Sequence, residues 1–159
     1  MEDTMNLTSK IYTKLPADSK ILRETIFVQE QGLEEEFDTI DSIATHIVIY
    51  DGERAIATGR VFSSEYERGF RETSAEKVYV LGRVAVSKDY RGQHIGEFLL
   101  SEVEKYVTSQ GGDAVILHAQ CRIRKFYANS GYEQCSGVEL DEGCPHVWMR
   151  KYFSNQNVQ

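Results

Sequence analysis

The stretch 81–96, LGRVAVSKDYRGQHIG, constrains this chain more than any other. It reads as a strand, a short polar turn, and a glycine-bounded loop that opens directly into an amphipathic helix. Val78, Val80, Val84 and Val86 alternate with Tyr79, Leu81 and Ala85. That near-continuous apolar run suits a central strand covered on both faces. The loop from Asp89 to Gly96 brings several backbone N–H groups to the start of the helix. Such amides lack intrahelical acceptors and sit at the positive end of the helix dipole, so the place suits a phosphate or pyrophosphate.

The rest of the chain supplies a frame for that unit. Leu7–Tyr12 reads as a first strand, and Pro16-Ala17-Asp18 starts a helix whose apolar stripe (Ile21, Leu22, Thr25, Ile26, Val28) runs to Gln31, with Gly32 closing it. Two β-rich runs, 44–50 and Arg54–Ser63, flank Asp51-Gly52-Glu53, a hairpin signal. Gly59 in the second run marks a bulge or a close backbone contact. Residues 65–76 read as an exposed loop or irregular helix. Helical period continues from Ile95 to Gln110 and ends at Gly111-Gly112; 114–118, AVILH, is then a buried strand parallel to 77–86. The right-handed βαβ rule puts the phosphate loop at the carboxyl end of the first strand, where open α/β sheets bind ligands. A short helix over 122–129 and strands at 132–134 and 146–152 complete the chain, with 137–143 as an acidic turn.

With 159 residues the chain has room for one domain with a real core, expected over about 7–152, with 153–159 as a flexible tail. A formal charge of −7 argues against a nucleic-acid surface. No apolar run approaches the roughly 20 residues of a membrane helix, and the N-terminus reads as no secretory signal, so a cytoplasmic protein is expected. Cys121, Cys135 and Cys144 fit reduced thiols. His46, His94, His118 and His146 are widely dispersed and show no metal-ligand spacing, so no metal is expected. Neither a P-loop nor a G-x-G-x-x-G motif occurs. The segment 33–41, LEEEFDTID, reads by composition as a solvated acidic loop.

Several stretches resemble the GNAT acetyltransferase superfamily. Leu81-Gly82-Arg83-Val84-Ala85-Val86 is similar to its central-strand pattern, and Arg91-Gly92-Gln93-His94-Ile95-Gly96 to its pyrophosphate loop, with His94 where the family has its middle glycine. If that position needs a positive φ, or close approach to the pyrophosphate, His94 strains the geometry. Downstream, Gln120, Ile123, Phe126-Tyr127, Gly131 and Tyr132 follow the family's Asn-x-x-Ala-x-x-Phe-Tyr-x-x-x-Gly-Phe/Tyr pattern, with Gln120 at the Asn position and Ile123 at the Ala position. The segment 23–32, RETIFVQEQG, with Glu36-Phe37-Asp38 and Asp41, is similar to the ElaA/YjcF-like subgroup, in which this region borders the acceptor cleft.

The resemblance implies an α/β fold: one domain with a central mixed, mostly antiparallel sheet, a splayed parallel strand pair and helices on both faces. It implies an acetyl-CoA-dependent N-acetyltransferase, with a primary amine on a small molecule or protein as acceptor, working as a monomer or homodimer. The alternative is an acyl-CoA-binding protein of the same fold with little transfer activity. Cofactor contacts would come from Val84, Ala85 and Val86 to the pantetheine arm, from Arg91, Gly92, Gln93, His94, Ile95 and Gly96 to the pyrophosphate, and from Gln120 and Tyr127. Tyr127 is the expected general acid for the leaving thiolate, and Glu36, then His118, the candidate bases for the amine. Cys121 has no identifiable activating base and is read as structural or adventitious.

Overall fold

The computed structural model describes residues 4–33, 37–67 and 76–153. The chain forms two compact groups, 1–62 with 83–103, and 63–82 with 104–159. Strand β4 (Val78–Val86) and helix α2 (Ile95–Ser109) each contribute residues to both.

In the first group, β1 (Leu7–Tyr12), β2 (Thr45–Asp51) and β3 (Arg54–Ser63) form an antiparallel meander, and β3 is followed by the Arg83–Val86 end of β4. Gly52 takes φ +61° at the β2–β3 turn, as the Asp-Gly signal requires. Gly59 pairs regularly with Ile47, so of the two readings there the bulge does not hold; the register shift falls opposite Ile49 and Tyr50. The extra residue at that bulge is Ile56, whose carbonyl accepts the Ser87 N–H at 2.7 Å. Helix α1 (Ala17–Arg23) continues through Glu24–Glu30 with wider turns, Gln31 N bonding Ile26 O at 3.1 Å, and ends at Gly32 with φ +71°. Its Ile26 and Phe27 pack with Ala85 and Leu33.

In the second group the strands run β4 (Val78–Gly82 end), β5 (Ala114–Gln120), β8 (Cys144–Tyr152), β6 (Glu133–Gln134), and β7 (Glu139–Asp141) also pairs with β8. β4 and β5 are parallel, from Val78 opposite Ala114 to Leu81 opposite Leu117, and the ladder stops there. Two residues on, Arg83 takes φ +51°, a break in extended geometry. Coverage on both faces therefore describes the start of β4 only, since Val84 and Val86 are half-exposed. The acidic turn expected over 137–143 holds a strand. β7 forms a tight hairpin with β8 through Glu142-Gly143, both at positive φ. Helix α3 (Arg124–Asn129) follows a turn at Cys121–Ile123.

Candidate active site

The phosphate loop is built by backbone. After a turn at Lys88–Tyr90, Gly92 takes φ +79° and His94 φ +65°. The first backbone bond of α2 is Phe98 N to His94 O, so the amides just before Phe98 have no intrahelical acceptor. His94 therefore does occupy the strained position, at a cost of about 1–2 kcal/mol for a residue with a Cβ. Its ring lies largely in solvent, 3.1 Å from Glu97. Arg91 is held from two sides, Nε donating to Val86 O at 3.1 Å and Nη2 to Glu30 at 2.9 Å.

The acidic segment is not simply solvated. Arg23, 1% exposed, donates both terminal nitrogens to Asp41, at 2.8 and 3.0 Å. Arg60 reaches Asp38 at 2.6 Å and Asp41 at 3.0 Å, and Arg83 reaches Asp38 at 3.2 Å. Burial pushes the Asp41 carboxyl up, but the Arg23 hydrogen bonds and charge, the Asp38 amide and the Arg60 charge hold it down at about 2. Asp38 is lowered likewise, its burial outweighed by Arg60 and Arg83. His46 donates Nε2–H to Asp41 O at 3.0 Å, and burial lowers its pKa. These carboxylates brace α1 against β3 and β4 with geometry that leaves them no freedom to do chemistry.

A second polar cluster lies where β5, β8 and β7 run side by side. Register places His118 opposite Trp148, Gln120 opposite His146, and Glu139 opposite His146. Residues directly opposite share a face, so His118, His146, Trp148, Glu139 and Asp141 converge. The His118 ring stacks on Trp148 at 4.7 Å and lies 4.7 Å from the His146 ring. His118 Nε2 is 2.8 Å from Glu139 Oε1, yet buried without an aligned hydrogen bond, and Nδ1 is 3.6 Å from Asp141 Oδ2.

Tyr127 projects from α3 into the interior, edge-on to Phe126 at 5.0 Å and to Tyr132 at 6.0 Å. Tyr132 is fixed by Glu104, which Lys151 also binds. Burial raises the Tyr127 phenol well above its ordinary value, and its hydroxyl has no hydrogen-bond partner among the described residues. An unpaired, protonated hydroxyl in a dry place is a donor in waiting.

The sequence of the chain matches the acetyltransferase (GNAT) domain over residues 17–153. The chain belongs to the GNAT acetyltransferase family. It is 34% identical over 84% of its length, and 90% of the relative's, to YjcF of Bacillus subtilis, described as an uncharacterized N-acetyltransferase. It is 29% identical to the ElaA protein of Escherichia coli, over 82% of each chain. The crystal structure of E. coli ElaA superposes with TM-score 0.74 at 25% identity, over 93% of this chain and 99% of that one. An acyl-CoA N-acyltransferase from Pseudomonas aeruginosa gives TM-score 0.75 at 25% identity, over 93% and 99%. The ElaA/YjcF-like subgroup and the acyl-CoA N-acyltransferase fold are thus shown, a mixed α/β fold with mostly antiparallel strands and one parallel pair. This GNAT protein is an acyltransferase, and its fold implies use of an acyl-CoA.

The residues expected in the site fall as follows. Arg91, Gly92, Gln93, His94, Ile95 and Gly96 form one continuous turn into α2; Val84 and Val86 are half-exposed, while Ala85 is buried against Phe27. Gln120 ends β5 and makes no side-chain cap on the turn that follows. His118 belongs to the three-strand cluster and Tyr127 to the interior of α3. Glu36 lies outside the described residues. Sequence reasoning missed Glu139, Asp141 and His146 as neighbours of His118; a strand at 139–141 paired through Glu142-Gly143 was the signal that could have found them. Among the described residues no helix is long and apolar enough to cross a membrane.

Proposed function

We propose that this GNAT enzyme transfers an acetyl group from acetyl-CoA to a primary amine by direct attack in a ternary complex. The observation that carries the reading is the loop at Gly92 and His94, which turns unpartnered amides outward at the start of α2. A diphosphate is the ligand such a place takes best. The pantetheine amides pair with the β4 edge at Val84, Ala85 and Val86 in the manner of an added strand, and Gln120 bonds the same arm. Arg91 fixes the Val86 carbonyl, so the pairing uses the remaining groups of that edge.

The neutral amine attacks the thioester carbonyl, and an N–H from the β4 edge holds the developing oxyanion, a contribution of about 3 kcal/mol for one well-placed donor. His118 takes the proton from the attacking nitrogen, with the carboxylates of Glu139 and Asp141 facing the imidazolium that forms. As the C–S bond breaks, the Tyr127 hydroxyl gives its proton to the thiolate. Burial makes that phenol a weak acid, but the same dry surroundings disfavour the thiolate, so transfer proceeds as charge builds on sulfur. His118 then loses its proton to solvent, and solvent restores the Tyr127 phenol.

Calorimetry with acetyl-CoA, followed by thiol release across polyamines, amino sugars, aminoglycosides, lysine and protein N-termini, tests the reading. Binding with release for at least one class is expected. Binding without release for any amine identifies an acyl-CoA-binding protein instead, and no binding removes the proposal.

A further inference from the structure

We infer that His118, His146 and Asp141 form a site for a divalent transition-metal ion, zinc above all. One ligand atom from each lies within 4.8 Å of the other two, on adjacent strands β5, β8 and β7. The inference is independent of what the loop binds but shares His118 with the proposed acetyl transfer: a bound ion occupies the imidazole lone pair, so His118 acts as the base only in the metal-free protein.

Three features make the cluster suited to a metal rather than only to ion pairing. First, His146 Nδ1 lies 2.8 Å from the Cys144 carbonyl, which can only accept. The proton is therefore on Nδ1, and Nε2 carries the lone pair. A backbone carbonyl behind one imidazole nitrogen is the usual way a protein readies the other for a metal. Second, His118 Nε2 is buried without an aligned hydrogen bond although Glu139 Oε1 lies 2.8 Å away, and Nδ1 faces Asp141 Oδ2 at 3.6 Å. The Nδ1–Oδ2 separation of 3.6 Å to Asp141 spans an ion bound at zinc's usual 2.0–2.1 Å with an N–metal–O angle of about 120°, within reach of a tetrahedron. Third, the ring planes are already set: His118 is stacked on Trp148 and His146 is tied to the β7–β8 hairpin. Asp141, half-exposed, has room to move as the ligand atoms, now within 4.8 Å of one another, close towards a tetrahedral edge of about 3.4 Å.

Two imidazoles and a carboxylate favour zinc, nickel or copper over magnesium or calcium, which want an all-oxygen shell. Glu139, 2.8 Å from the other ring nitrogen of His118, stands as the carboxylate behind that ligand and leaves the fourth position to water.

The test is zinc titration of the full chain without acetyl-CoA, using competition with a chromophoric chelator, and repeated with cobalt for its ligand-field spectrum. One equivalent is expected, with affinity at least tenfold lower in His146→Ala and in Asp141→Asn, and unchanged in Cys144→Ser and His94→Ala. Imidazole NMR signals of His118 and His146 should shift together as zinc is added. Should His146→Ala unfold, His146→Gln serves the same purpose, and far-UV circular dichroism reports which of the two is folded. Affinity equal to wild type in both ligand variants, loss in Cys144→Ser, or binding that never saturates at one equivalent overturns the inference.

Discussion

The chain holds two polar clusters of similar size and opposite character. Around Asp41 the carboxylates hold aligned hydrogen bonds: Arg23 donates twice to Asp41, Arg60 bonds both Asp41 and Asp38, and Arg23 and Asp41 are buried, although Arg60 Nε stands buried without a partner among the described residues. Around His118 the carboxylates outnumber their aligned hydrogen bonds, the acids are more than half exposed, and an imidazole nitrogen stands buried without a bond. The first cluster is architecture and the second is available for chemistry. What separates them is that the carboxylates of the first hold aligned hydrogen bonds from buried guanidinium groups, while those of the second face His118 without one.

Mutation should break that contrast most visibly at its sealed end. Asp41→Ala strips Arg23 of both carboxylate bonds and should destabilise the protein by about 3–5 kcal/mol, measured by urea unfolding, whereas Glu139→Gln should change stability by less than about 0.5 kcal/mol. Equal effects at the two positions would erase the distinction. Next comes Tyr127→Phe. The hydroxyl has no partner to lose, so stability should hold while kcat falls about a hundredfold and acetyl-CoA affinity stays close to wild type. A matching loss in affinity would make the hydroxyl a binding group.

Acid sharpens the same comparison. The Asp41 value is depressed in the folded state, so its stabilisation is fully present above the unfolded value near 3.8 and is lost as pH falls towards 2. Unfolding free energy should drop by about 2 kcal/mol across that window, and Asp41→Asn should flatten the drop. Gly92→Ala meets no atom within 4 Å, so its cost is conformational, from φ +79°. Acetyl-CoA affinity should fall about tenfold, matching about 1.4 kcal/mol of misplaced amides. Smallest is His94→Gly, which relieves the same strain in the neighbouring position and should stabilise by no more than about 1 kcal/mol, read as a small rise in Tm.

The loop from Arg91 to Gly96 was legible because its chemistry belongs to consecutive backbone amides, and consecutive residues announce it. The misfit was legible as a condition: a histidine in the family's glycine position is strained if that position needs a positive φ, and His94 has one. The His118 cluster was not, because its members sit up to 28 positions apart and meet only through strand register. Reading 137–143 as a turn hid β7 and with it both acids. Asp38 and Asp41 were misread for a different reason. Alternating acids and apolar residues describe a solvated loop equally well as a capped turn facing buried arginines, and the partners Arg23 and Arg60 lie on other elements. The bulge escaped because a glycine was the visible cue, while the extra residue is Ile56.

Direct transfer is tested most simply by weighing both partners of a single turnover. The protein is mixed with an equivalent of acetyl-CoA, then with an amine active in the panel, and the masses of protein and amine are followed by mass spectrometry. The account predicts a protein of unchanged mass throughout, an amine that gains one acetyl group, and one free thiol released for each acetyl transferred. An acetyl group lodged on the protein before the amine is added, at Cys121 or elsewhere, would contradict it.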